Sequence, residues 1–185
     1  MEAFVIILSI VGVILLWAIM IYNRLVRKKT MVEEGWSGID VQLKRRANLI
    51  PNLIETVKGY VGHEKEVLES VTELRTRSLN AGAPGDRSQV EGLLGVALGK
   101  LFAVAEDYPD LKANQNFIEL QGSLEETEEQ IQLSRRYYNG AVRDLNIQID
   151  SFPSNLVANH FQFQKAEFFE LEDPAARAVP TVSFD

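Results

Sequence analysis

The stretch ANQNFIELQGSLEETEEQIQLSRRYYNGAVRDLNIQID, residues 113–150, decides the fold. It sets Ala113, Phe117, Leu120, Leu124, Thr127, Ile131, Ser134, Tyr138, Ala141, Leu145 and Ile149 at alternating steps of four and three. Residues so spaced lie on one face of a helix, and a 3.5-residue period kept over this length implies a slight left-handed supercoil against a partner. Phe152-Pro153 disfavours continuation, so the helix is expected to end near Ser151.

Working towards the N-terminus, the same periodicity recurs. Leu93, Leu94, Ala97, Leu98, Leu101, Phe102 and Ala105 form the expected buried face of a second helix, opened by a capping box at Ser88–Glu91 and closed by a turn at Asp107–Asp110. Gly92, Gly95 and Gly99 lie near one side of it and are expected to let a neighbouring helix approach closely. That helix is too short and too near Lys100 and Glu106 to be read as a membrane span. Asn80-Ala-Gly-Ala-Pro-Gly-Asp86 is the strongest loop signal. Before it, Val32, Trp36, Ile39, Leu43, Ala47, Ile50, Ile54, Val57 and Val61 mark a further helical face, extended by Leu68, Val71, Leu74 and Leu79. Pro51 predicts a kink there, or a break with a restart, and Gly59 and Gly62 weaken the following turns. Phe161, Phe163, Phe168 and Phe169 suggest a short C-terminal helix folded back on the bundle.

The first 22 residues are of another kind. Ala3 to Ile21 carries no charge, and nineteen helical residues span roughly 28 Å, close to the hydrocarbon thickness of a bilayer. Trp17 and Tyr22 sit where interface aromatics sit. A cleaved signal peptide would need a basic start and a small-x-small exit, which Met1-Glu2 and Trp17–Tyr22 do not supply. Arg24, Arg27, Lys28 and Lys29 follow the segment and no Lys or Arg precedes it, which places the N-terminus outside and the rest in the cytoplasm.

The fold expected is therefore all-α: an N-terminal transmembrane helix, then an antiparallel up-and-down left-handed helical bundle of three long helices plus a short C-terminal one. The organisation is residues 1–22 as external N-terminus and anchor, 23–31 as a basic juxtamembrane segment, 32–173 as the bundle and 174–185 as a tail.

Charge and composition exclude several functions. Glu2 is the only charge before Asn23, so the remainder carries −6 of the chain's net −7 and should repel nucleic-acid phosphates. Cysteine is absent, which removes thiolate chemistry, disulfides and Cys-ligated metals. His63-Glu64 lacks the second histidine of a zinc-protease helix, and His160 beside Phe161 reads as a packing residue. Glu125, Glu126, Glu128 and Glu129 spread over more than half of a helix circumference, as a solvated face does, rather than converging on a metal. No phosphate-binding loop, nucleophile elbow, kinase signature or dinucleotide fingerprint is present. No catalytic residue, cofactor or metal is expected.

Two groups remain as interaction or packing candidates. Lys44-Arg45-Arg46 stands roughly 33 Å beyond Tyr22 along a continuous helix, too far for unscreened attraction to the membrane. It is expected to pair with the acidic cluster on the third helix or with a neighbouring subunit. Arg135, Arg136, Tyr137, Tyr138, Asn139 and Asn146 could stack and hydrogen-bond a nucleic acid or peptide. At helical spacing in an acidic chain they read as half core, half internal hydrogen-bond network.

The run Val32-Glu-Glu-Gly-Trp-Ser-Gly-Ile-Asp-Val-Gln-Leu-Lys-Arg-Arg46, with Trp36 in it, resembles the LemA family of bacterial membrane proteins, as does Arg24-Leu-Val-Arg-Lys-Lys29 before it. So do Leu49-Ile-Pro-Asn-Leu53 with Asn52, Tyr108-Pro-Asp-Leu-Lys-Ala-Asn114, Arg135-Arg-Tyr-Tyr-Asn139, Asn146 and Phe152-Pro-Ser-Asn155. The resemblance covers nearly the whole chain in order. It implies a single N-terminal anchor with a short external N-terminus, a helical bundle, membrane organisation as the functional theme, and no reaction to carry over. The expected protein is thus an inner-membrane, single-pass, self-associating scaffold in contact with the lipid bilayer and with possible membrane-protein partners. A tethered adaptor for another protein or signal is the alternative, and an enzyme of unrecognised type the third reading.

Overall fold

A computed structural model describes residues 1–62 and 64–170. Its elements are α1 (Glu2–Lys58), α2 (Lys65–Asn80), α3 (Pro84–Ala105), α4 (Pro109–Lys112), α5 (Gln115–Asp150) and α6 (Ser154–His160), with no strand among the described residues. His63 and the expected tail at 174–185, with the end of the bundle at 173, lie outside the described residues.

Helix α1 runs unbroken from the apolar N-terminus to Lys58, so Pro51 does not end it. A proline at 51 lacks the N–H that would bond the carbonyl of residue 47. That carbonyl, on the buried Ala47, instead accepts a 2.6 Å hydrogen bond from Arg75 Nε of α2. The break comes later, where Gly59 and Gly62 weaken the helix. The loop after α2 is shorter than expected: Ala83 is extended, and Pro84, with its fixed φ, starts α3. Ser88 and Glu91 therefore lie inside α3 and form no capping box; Ser88 Oγ donates to the Gly85 carbonyl at 2.7 Å. The cap that does form is Asn114, whose Oδ1 accepts from the Phe117 N–H at 3.1 Å at the start of α5.

The chain divides into two compact units. The first combines Met1–Ile39 with Leu133–Phe168. In it α1 and α5 are antiparallel, since Lys28 meets Asp144 while Gly35 meets Tyr138. Gly35 is required by that approach: a Cβ there would stand 3.1 Å from Tyr138 Cα. Leu25, Val32, Ile39, Tyr138, Val142 and Leu145 are buried. The predicted C-terminal helix around Phe161–Phe169 is displaced: the short helix is α6, ended by Gln162 at φ 56°. An extended strap follows. Asn146 holds it at both ends of one peptide edge, donating to the Ala166 carbonyl at 3.0 Å and accepting from the Ala166 N–H at 2.9 Å.

The second unit is built on Asp40–Gln132. Its core joins Ile50, Leu53 and Val57 of α1, Leu68, Val71 and Leu74 of α2, Leu94, Leu98 and Leu101 of α3, and Phe117 and Leu124 of α5. Leu79 was expected to extend the buried face of α2, but Ser78 takes that place and Leu79 is exposed. On α3 the expectation also fails for Leu93, which is exposed.

Two of the described helices are long and apolar enough to cross a membrane. None of the most apolar stretch of α1 is buried by the rest of the protein, whereas α3 is nearly half buried. The former is what a lipid-facing helix looks like in the absence of lipid; the latter turns one side to the core.

Candidate functional site

Polar residues on otherwise apolar faces converge in the second unit. Arg46 lies between Leu43 and Ile50 on the inner face of α1, Ser78 follows Leu74 on α2, and Glu91 precedes Leu94 on α3. All three are buried. Arg46 Nη2 donates to the Glu91 carboxylate and to its carbonyl, and Ser78 Oγ donates to the other carboxylate oxygen. Arg46 Nη1 reaches Glu128 Oε2 of α5 at 2.6 Å. The guanidinium thus ties α1 to α3 and α5, and the Glu91 carboxylate brings in α2 through Ser78. Beside it, buried Arg87 binds Asp40 at 2.7 Å, and Lys44 binds the same carboxylate at 2.6 Å. Burial pushes the Asp40 carboxyl up, but the Lys44 hydrogen bond and the Arg87 and Lys44 charges outweigh it and hold it below the usual carboxylate range.

The basic triplet therefore has three different roles. Lys44 pairs within α1, Arg45 meets Glu126 of the acidic cluster at 3.1 Å, and Arg46 enters the core. Ser78, Arg87 and Asp40 were not singled out by sequence reasoning, and Glu91 was read only as part of a capping box. A signal was nonetheless present at two of them: Ser78 and Glu91 are polar residues on the apolar faces marked by Leu74 and Leu94.

The other candidates are dispersed. Lys28 donates to Asp144 at 2.7 Å, and this bond and charge hold the Asp144 carboxyl low; Lys29 lies 3.8 Å from Glu33, and Arg24 and Arg27 are exposed. Trp36 packs against Tyr138 with ring centroids 5.6 Å apart. The Tyr138 hydroxyl donates to the Glu167 carbonyl at 2.8 Å, and burial raises its pKa. Asn139 and Arg135 are half-buried and Arg136 is exposed. Asn114 Nδ2 donates to Tyr60 at 2.9 Å. Exposed Asn52 lines a shallow polar groove with Glu55, Asn116 and Glu119. His160 packs edge-on against Phe161. Among the described residues no group of three or more His, Asp or Glu is placed to hold a metal.

Next to the Arg46 network an apolar groove of about 880 Å³ opens between α3 and α5. Leu93 and Val96 are exposed along it, Phe102 and Leu124 form its floor, and Glu125 and Glu128 stand at its rim. Cβ atoms built on Gly95 and Gly99 would meet nothing within 4 Å, so these glycines serve no close helix contact within the chain, contrary to expectation. Chemically, the Arg46 network is a lock: its acceptors are occupied by internal donors. The groove is an apolar surface of this unit that no other described residue covers.

Comparison with known proteins gives the same picture of a membrane-associated helical protein. The magnetosome protein MamQ 2 of Paramagnetospirillum magneticum is 28% identical over 183 residues, covering 85% of this chain and 67% of its own length. MamQ of Magnetospirillum gryphiswaldense is 25% identical over the same extent. Protein LemA of Metamycoplasma hominis is 27% identical over 156 residues, covering 82% of this chain and 69% of its own. The sequence pattern of the LemA family matches residues 35–184, and the chain belongs to that family.

Proposed function

We propose that this chain is a membrane-anchored, non-catalytic scaffold that self-associates in the plane of the inner membrane, with its N-terminus outside and its helical domain in the cytoplasm. The observation that carries the reading is the contrast within one unit. Buried Arg46 and Arg87 are ion-paired within the chain, while Leu93, Val96 and the two open glycines of α3 leave an apolar face on which, among the described residues, nothing is packed. A soluble helix that is apolar on both sides needs a partner on each. The anchor supplies the setting, because confinement to a plane raises the effective concentration of neighbours. Similarity to proteins named for the magnetosome agrees with an organising role rather than a catalytic one.

The test is the native mass of the full-length protein in mild detergent, measured over a range of concentrations. A discrete multimer is expected. A monomer throughout overturns the scaffold and leaves the adaptor reading. Protease added to intact spheroplasts should spare the helical domain; digestion of it reverses the orientation.

A further inference from the structure

We infer that the α3–α5 groove of one copy receives the exposed face of α5 from a second copy, residues 133–147, in a head-to-tail contact. The inference rests on the self-association proposed above and names its two surfaces. On α5 the exposed side chains Leu133, Arg136, Tyr137, Arg143 and Ile147 recur at helical spacing and share one face with Gly140. This face is apolar at both ends and basic between. Its one carboxylate, Asp144, is bound by Lys28 at 2.7 Å and stands 3.7 Å from exposed Arg143, which leaves Arg136 as the cation on this face with no carboxylate beside it among the described residues. The groove is its counterpart: apolar along Leu93, Val96 and Phe102, with Glu125 exposed at its rim beside Glu128, which Arg46 already binds. Lys100 lies on α3 outside that lining. The groove is long enough for about three of the seam's four turns. Residues 133–147 make a helical seam roughly 22 Å long, and residues 92–102 a groove roughly 16 Å long at 1.5 Å per residue. Opposite charge at the rim sets register and direction, and the apolar centre supplies the contact. Because the two surfaces differ, each copy offers one of each. Such a contact is heterologous and propagates into a ring or an open array.

The experiment uses the full-length protein in mild detergent. Gly99→Trp puts an indole into the groove from a position whose Cβ meets nothing within 4 Å. Arg136→Glu with Arg143→Glu reverses the charge of the seam. Unchanged helical circular dichroism and melting temperature establish that each variant folds. Each alone should fall to a monomer at the concentration where the wild type is multimeric. Mixed in equal amounts they should form a species of two copies and no larger, because one intact groove then meets one intact seam. Glu125→Arg combined with Arg136→Glu should regain mass that either change alone loses. Wild-type mass in either first variant, or two monomeric variants that fail to pair on mixing, overturns this contact while leaving self-association standing. A wild type that is itself monomeric overturns both.

Discussion

Arg75 should be worth more than an ordinary surface arginine, and only while Pro51 is present. The Ala47 carbonyl, buried on α1, is denied its helical partner by Pro51 and accepts Arg75 Nε at 2.6 Å instead. Arg75→Met keeps much of the aliphatic stem and removes the donor. A hydrogen bond from a charged group contributes about 1.5–3 kcal/mol, and a buried carbonyl left unpaired costs a comparable amount. For a chain of this size that corresponds to a melting temperature lower by roughly 3–12 °C. Pro51→Ala restores the N–H to the same carbonyl and relieves the ring's crowding, so it should stabilise α1. In the Pro51→Ala background Arg75→Met should cost less than about 1 kcal/mol, since the carbonyl then keeps a partner. The coupling expected between the two positions is about 1–2 kcal/mol, within the range seen for residues sharing one acceptor. The assay is denaturant and thermal unfolding of all four proteins in mild detergent, followed by helical circular dichroism. Equal losses from Arg75→Met in both backgrounds would refute the reasoning, because the arginine would then be acting on something other than the carbonyl that Pro51 frees.

Three further outcomes follow from the same geometry. Glu91→Leu leaves buried Arg46 with Glu128 as its one carboxylate, beside the backbone carbonyl of residue 91, and should destabilise by about 3–5 kcal/mol, whereas Arg46→Met, Glu91→Leu and Ser78→Ala together should come within about 1 kcal/mol of wild type; an equally unstable triple variant in the same unfolding assay contradicts the lock. Asp40 is held below its unfolded pKa of about 3.9, so the stability it adds is present above that value and is lost as pH falls through its folded pKa; Asp40→Asn should melt lower than wild type at neutral pH, with the gap closing below about pH 4. Gly35→Ala, whose Cβ would meet Tyr138 Cα at 3.1 Å, should cost about 1–3 kcal/mol, while Gly38→Ala, which meets nothing within 4 Å, should gain about 0.5–1 kcal/mol; melting temperatures moving the same way for both would contradict the assigned contact.

The helical class, the apolar N-terminal helix and the long α5 seam were legible in the sequence because each rests on local pattern. Phe117, Leu124, Thr127, Ile131, Tyr138, Ala141, Leu145 and Ile149 are all buried at the spacing that predicts them. Much of the site was partly legible. A polar residue on an apolar face, as at Arg46, Ser78 and Glu91, announces that it needs a partner but does not say which. The choice between Ser78 and Leu79 as the inward residue turns on one step of about 100° around α2. Periodicity that already mixes steps of three and four does not settle such a step; packing does.

Tertiary structure alone decided how Pro51 is accommodated, which is set by an arginine 24 positions away on another helix. It also decided the fate of the α3 glycines. Small residues permit close approach, but whether a helix arrives depends on where the neighbouring backbones pass, and among the described residues none passes Gly95 or Gly99. The sequence by itself determined that this is a helical, LemA-family chain with a long apolar N-terminal helix, because hydrophobic period and length act within single elements. Its internal lock and its open groove came from the meeting of four helices, because burial of a charge and exposure of an apolar face are properties of the assembled packing.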